Sequence, residues 1–267
     1  MGSVISRDGT TIAYERLGAG PPLVLVDGAL CYRASGPMRE LARHLAAHFT
    51  VYLYDRRGRG ESGDAAAWAP EREVEDLEAV LGAAGGSAML FGISSGAALA
   101  LDAARRLEVP RVAVYEPPFF LDGTRAPLPA GFVEGLRASL AAGRPGDAVK
   151  QFMRLVGMPG LLVALFPALP GWSRLTAVAH TLPYDFGLLD GTQHGGPLPR
   201  ERWAGVSQPA LVLAGGKSPA WMRHGADALA AALPAARHRT LPGQTHMVKA
   251  SVLAPALVEF LAERRVA

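Results

Sequence analysis

The pentapeptide Gly92-Ile93-Ser94-Ser95-Gly96 lies between an apolar run, Ala88-Met89-Leu90-Phe91, and an alanine-rich stretch carrying Ala97, Leu99, Leu101 and Ala104. A serine at a sharp strand-to-helix turn is held in a strained backbone conformation with its hydroxyl exposed, and flanking glycines let strand and helix pass closely. Ser94 is therefore the candidate nucleophile, and the chemistry it suggests is attack on an acyl carbon. So short a pattern recurs by chance in a chain with 31 glycines, so its surroundings must carry the assignment. Competing chemistry is sparse. Cys31 is the only cysteine, which excludes an internal disulfide and a cysteine zinc cluster and fits a reducing compartment. Neither a G-x-G-x-x-G nor a P-loop context speaks for a nucleotide, and no cofactor or metal is expected.

A serine so placed needs a strand before it and a helix after it, and the chain supplies that alternation along most of its length. Residues 3–6 and 10–15 flank Arg7-Asp8-Gly9, a hairpin turn of the D-G kind. Leu23-Val24-Leu25-Val26 is a continuous apolar run suited to a buried parallel strand. Helical spacing in Met38, Leu41 and Leu45 precedes a strand over 50–54. A helix over 71–83, a strand to Phe91, a helix to Leu107 and a strand over 111–115 continue the pattern until Glu116-Pro117-Pro118 interrupts it. It resumes with a strand over 209–213, a helix from Met222 to Leu233 and a strand over 237–241. The fold class is α/β: a doubly wound, mostly parallel sheet with a segment inserted after the strand ending near Tyr115. Residues 1–118 and 206–267 form its core and 119–205 the insertion, and 267 residues suffice for both.

Charge narrows the partners. The balance is 27 basic against 24 acidic residues, net +3, with the basic residues scattered, whereas nucleic-acid binding needs a clustered basic face. No secretory signal pattern and no stretch apolar enough to span a bilayer is present, so a cytoplasmic location without membrane insertion is expected. Oligomeric state is not readable from these features.

Four features in this order make the chain resemble the α/β-hydrolase fold family over nearly its whole length: the Asp27-Gly28 loop, the Asp55-Arg56-Arg57-Gly58-Arg59-Gly60-Glu61-Ser62 loop, the serine motif, and Gly243-Gln244-Thr245-His246. It is most similar to the lidded serine hydrolases of that family, such as carboxylesterases and cofactor-free haloperoxidases. The resemblance implies that His246 is the general base, taking the Ser94 proton and returning it to the leaving group. In most of the family the orienting acid follows the penultimate strand, but here that stretch reads Ala214-Gly215-Gly216-Lys217-Ser218-Pro219, with Ser218 in the acid's place. Haloalkane dehalogenases carry the acid one strand earlier, where this chain has Glu116, which the resemblance therefore makes the acid. Asp122, Asp185, Asp190 and Asp227 stand in reserve. His44, His48, His180, His194, His224 and His238 lack the catalytic placement and read as solvated or capping residues. The family's oxyanion donors correspond to the backbone N–H groups of Ala29 and Ser95. Where it usually has His-Gly this chain has Asp27-Gly28. The Asp27 side chain is expected to turn away and pair with Arg56, Arg57 or Arg33, while Asp55 ends a strand and caps the arginine-rich loop.

The resemblance makes residues 119–205 a helical lid, within which Phe132, Leu136 and Leu140 recur at helical spacing, and Asp147 is placed to cap a helix carrying Val149, Phe152, Met153 and Val156. Met158, Leu162 and Phe166 would give the cleft an apolar wall and favour a small-molecule apolar substrate. Serine at the turn excludes the carboxylate-nucleophile mechanisms of dehalogenases and epoxide hydrolases. The reading is a serine hydrolase that cleaves a small to medium apolar carboxylic ester through an acyl-enzyme. A thioesterase, lactonase, C–C hydrolase or biosynthetic cyclase would use the same scaffold, and a ligand-binding receptor with weak or no turnover is the alternative of another class.

Overall fold

The computed structural model describes residues 1–263. Asp8 and Gly9 turn the chain between β1 (Gly2–Ile5) and β2 (Thr11–Leu17), with Gly9 in the left-handed region at φ 88°. Then come β3 (Pro22–Val26), α1 (Met38–Leu45), β4 (Thr50–Tyr54), α2 (Pro70–Ala83), β5 (Met89–Ile93), α3 (Ser95–Ala104) and β6 (Val112–Tyr115). Five short α-helices follow: α4 (Phe132–Ala141), α5 (Pro145–Leu155), α6 (Gly160–Leu165), α7 (Trp172–Ala177) and α8 (Leu182–Leu188). The chain closes with β7 (Ala210–Gly215), α9 (Ala220–Ala232), β8 (Ala236–Leu241) and α10 (Ala250–Leu261). The strands form one sheet in the order β1-β2-β4-β3-β5-β6-β7-β8, antiparallel from β1 to β4 and parallel from there on.

Strands covered on both faces are apolar throughout, which is why β5, β6 and β7 are buried at every residue. The edge strand β8 carries Arg237, His238 and Arg239 exposed, a charged rim that discourages pairing with another sheet. One face of the sheet packs against α2, α3 and α9 through Leu77, Val80, Leu99, Leu101 and Leu229. The other packs against α1 and α10 through Leu41, Leu45, Leu253 and Leu257. The serine-bearing turn sits where β5 meets α3, and every residue of α3 is buried. Its alanines are what allow so close an approach to the sheet.

The helices between β6 and β7 build a third cluster of Leu136, Ala148, Val149, Val178, Leu182 and Phe186, and this cluster packs on Ala29 and Leu30 of the loop after β3. Asp147 does not cap α5. That helix begins two residues earlier because Pro145, with its fixed φ, starts it, and Asp147 in the first turn accepts instead from Arg144 Nε at 3.2 Å. Helix α6 packs on α5 and leaves Leu161, Leu162 and Leu165 exposed. Trp203 is fully buried, stacks on Phe119 and donates from Nε1 to Asp102 Oδ1 at 2.9 Å, so it is a packing residue. Among the described residues no helix is long and apolar enough to cross a membrane.

Candidate active site

The turn from β5 to α3 holds Ser94 at φ 56° and ψ −128°, a conformation that costs a non-glycine residue on the order of 1–3 kcal/mol. Close packing enforces it. A Cβ on Gly92 would stand 2.3 Å from Gly96 O, and one on Gly96 would stand 2.4 Å from Val26 O and 2.5 Å from Asp27 O. The backbones of β3, β5 and α3 can meet only where those side chains are missing. Ser94 N donates to Tyr115 O at 2.9 Å, tying the turn to the end of β6, and Ser94 itself is only partly buried.

The end of β6 brings the carboxylate. Glu116, fully buried and at φ 44°, accepts from the backbone N–H of Gly215 through Oε1 at 2.7 Å, and its Oε2 lies 2.9 Å from His246 Nδ1. Gly215 must be glycine here, since a Cβ would meet Gln244 O at 2.6 Å and Tyr115 Oη at 2.7 Å. His246 follows β8, with its side chain 31% exposed. Tyr115 Oη donates to Thr245 O at 2.6 Å and so anchors the loop beside the imidazole. A histidine whose Nδ1 faces a buried carboxylate carries its proton there, leaving Nε2 as the basic nitrogen. The reserve aspartates are engaged elsewhere: Asp122 with His224 at 2.6 Å, Asp227 with His238 at 3.1 Å, and Asp190 with the Gly191 N–H at 3.0 Å.

Asp185, the fourth reserve, occupies a different place. Extending from α8, its Oδ1 accepts from Ser95 Oγ at 2.7 Å, Arg56 Nη1 at 2.7 Å and Arg59 Nη2 at 3.0 Å, and its Oδ2 accepts from Arg59 Nη2 at 2.8 Å. Burial alone would raise its pKa, but Arg59 and Arg56 with the Ser95 hydroxyl hold it below the usual carboxylate range. Arg56 also binds Glu73 through Nε at 2.6 Å, and Arg57 binds Asp76 and Asp8. Asp55 accepts from Arg33 N and Arg33 Nη2 and from Glu61 N, which closes the arginine-rich loop.

Asp27 departs from expectation. Each arginine expected to pair with it has another carboxylate, and Arg56 Nη1 reaches only its main-chain carbonyl, at 3.2 Å. The Asp27 side chain is buried against Gly36, with Oδ1 lacking a hydrogen-bond partner among the described residues. Burial pushes its pKa up to about 7, against the opposing pull of Arg59 and Arg56. Burial likewise pushes the Cys31 thiol up, so it holds its proton and is no rival nucleophile.

Gly28 lies against the serine, its Cβ position 3.0 Å from Ser94 Cβ. The next N–H, that of Ala29, has no partner among the described residues, and that of Ser95, first residue of α3, has no intrahelical acceptor. Of the apolar residues expected along the cleft, Leu162 is half exposed, and Met158 and Phe166 are partly buried outside the third cluster. A cleft of about 430 Å³ opens elsewhere, lined by Leu121, Asp122, Leu198, Arg200 and His224 and by none of Ser94, Glu116 and His246.

The model of the alpha/beta hydrolase family matches residues 18–258. Among solved structures, an alpha/beta hydrolase from Sphaerobacter thermophilus is 52% identical, covers 97% of this chain and all of its own, and superposes with a TM-score of 0.89. A thermophilic esterase from Thermogutta terrifontis (19% identity, 98% of this chain and 97% of its own, TM-score 0.71) and an enol-lactonase from Burkholderia xenovorans (19% identity, 98% and 100%, TM-score 0.71) share the fold. No curated protein sequence matches the chain.

Proposed function

Since the chain belongs to the alpha/beta hydrolase family and is an enzyme of the hydrolase type, we propose that it is a serine hydrolase acting on carboxylic esters of small to medium apolar character. The observations that carry this reading are the 2.9 Å contact of His246 Nδ1 with buried Glu116 and a serine held on a strained strand-to-helix turn whose N–H is tied to the end of β6. In the proposed reaction Ser94 Oγ attacks the carbonyl carbon while His246 Nε2 takes its proton, and Glu116 holds the imidazole and stabilises the imidazolium. The negative charge that develops on the carbonyl oxygen is met by the N–H groups of Ala29 and Ser95. Collapse of the tetrahedral intermediate expels the alcohol, which takes the proton from His246 and leaves an acyl-enzyme. Water, deprotonated by the same nitrogen, then releases the acid.

The helical segment over 119–205 acts in this reading as a lid, and Met158, Leu162 and Phe166 offer apolar surface to the acyl or alcohol group. Their incomplete burial and absence from the third cluster support that role. The test is mass spectrometry after incubation with a fluorophosphonate probe, comparing wild type with Ser94→Ala and His246→Ala. Labelling confined to Ser94 and dependent on His246 is expected, followed by turnover of short aryl esters. An unlabelled wild type would overturn the reading.

A further inference from the structure

We infer that Asp185 is a positioning residue for the oxyanion hole, through which the helical segment between β6 and β7 sets the placement of both backbone donors. The inference rests on the serine-hydrolase reading and adds a residue to its machinery.

The argument starts from the peptide plane. Because a peptide group is planar and trans, fixing its carbonyl oxygen fixes the direction of the N–H on its far side. The peptide that offers the Ala29 N–H has Gly28 O at its other end, and Arg59 Nη1 donates to that oxygen at 2.6 Å and to Cys31 O at 3.1 Å. Arg56 Nη1 holds the preceding carbonyl, Asp27 O, at 3.2 Å. Two guanidinium groups thus clamp the loop on both sides of the donor. A donor N–H whose carbonyl already accepts from a cation is also polarised, which strengthens the bond it can give.

Both guanidinium groups are held by the segment between β6 and β7. Arg59 Nη2 spans both oxygens of Asp185, and Arg59 Nε donates to Thr181 Oγ1 at 3.1 Å. Arg56 Nη1 donates to Asp185 Oδ1, and so does the hydroxyl of Ser95, whose own N–H is the second donor. One carboxylate oxygen is therefore the meeting point of Arg56, Arg59 and Ser95, all buried. Arg56 has a second acid in Glu73, whereas Asp185 is the only carboxylate that Arg59 meets among the described residues. The contacts join parts of the chain 90 to 129 residues apart, so they exist only when α8 is seated.

Two variants separate positioning from plain structural support. Asp185→Asn removes the charge, and Ser95→Ala removes one donated bond while leaving both ion pairs intact, so the second decides if the first fails to fold. The readouts are kcat and KM on an aryl ester, the rate of fluorophosphonate labelling of Ser94, and the unfolding midpoint. Displacement of one donor is expected to lower kcat and the labelling rate by about 10-fold or more for Ser95→Ala and about 100-fold for Asp185→Asn. KM is expected to stay within about 2-fold, and Ser95→Thr, which restores the hydroxyl, to recover most of the loss. Folded variants labelled at the wild-type rate, or losing activity only through KM or stability, would overturn the inference alone. An unlabelled wild type would overturn the serine-hydrolase reading, and the inference with it.

Discussion

Replacing Asp27 by asparagine should remove a cost to folding that grows with pH. The carboxyl is 4% exposed, its Oδ1 lacks a partner among the described residues, and burial carries its pKa to about 7 against the attraction of Arg59 and Arg56. In the unfolded chain the same group ionises at about 3.8. Below that pH it is protonated in both states and contributes nothing. Between the two values only the unfolded chain releases the proton, so stability falls by about 1.4 kcal/mol for each pH unit. Above about pH 7 both states are ionised and the loss is complete, amounting to ~4 kcal/mol. Asparagine does not titrate. Urea unfolding followed by tryptophan fluorescence on both proteins, in steps from about pH 4.5 to about pH 8, isolates the Asp27 contribution as their difference in stability. The variant is expected to gain on the wild type by about 3 kcal/mol across that range, with the gain levelling off above neutrality. A difference that stays constant with pH would refute the assignment of a buried carboxyl whose desolvation outweighs the pull of Arg59 and Arg56.

Glu116→Gln keeps the shape of the side chain but not its charge, and kcat for an aryl ester is expected to drop roughly 10³- to 10⁴-fold with folding intact; steady-state kinetics beside a thermal melt would check it. Gly96→Ala forces a Cβ to within 2.4 Å of Val26 O, a backbone atom that cannot yield cheaply. Chemical denaturation is expected to register a loss of about 1–3 kcal/mol or more, with slower labelling of Ser94. Leu161→Ser, at a side chain 75% exposed, is expected to change unfolding free energy by no more than about 0.5 kcal/mol, and the same titration reads it.

Local patterns made the core legible, because a parallel strand covered on both faces must be apolar throughout and Leu23-Val24-Leu25-Val26 or Ala210-Leu211-Val212-Leu213 admits few other readings. The ends of such strands are equally visible, and Ser94 and Glu116 both follow one directly. Long-range charge pairing was not legible. Three arginines in the loop after β4 plainly needed acids, yet nothing local says that Arg56 meets Glu73 and Asp185, or that Arg57 meets Asp76. Asp27 was expected to turn away and pair with Arg56, Arg57 or Arg33, but each of those cations meets another carboxylate brought to it by tertiary packing. The start of α5 was missed for a local reason: a proline at the first helical position competes with a downstream aspartate as the start signal.

Glu116 reaches His246 from the end of β6, while the Gly215 N–H at the end of β7 holds that same carboxylate. The two strand ends thus converge on one imidazole, and Lys217 N donates to Gln244 O two residues before it. Ser218, buried on the turn after β7 with its Oγ lacking a partner among the described residues, occupies the position where the family resemblance places the acid. In a lineage of such enzymes, an aspartate arising there beside an intact Glu116 would make the acid redundant, and either copy could then drift away. A carboxylate supplied from either strand end would then serve the same imidazole.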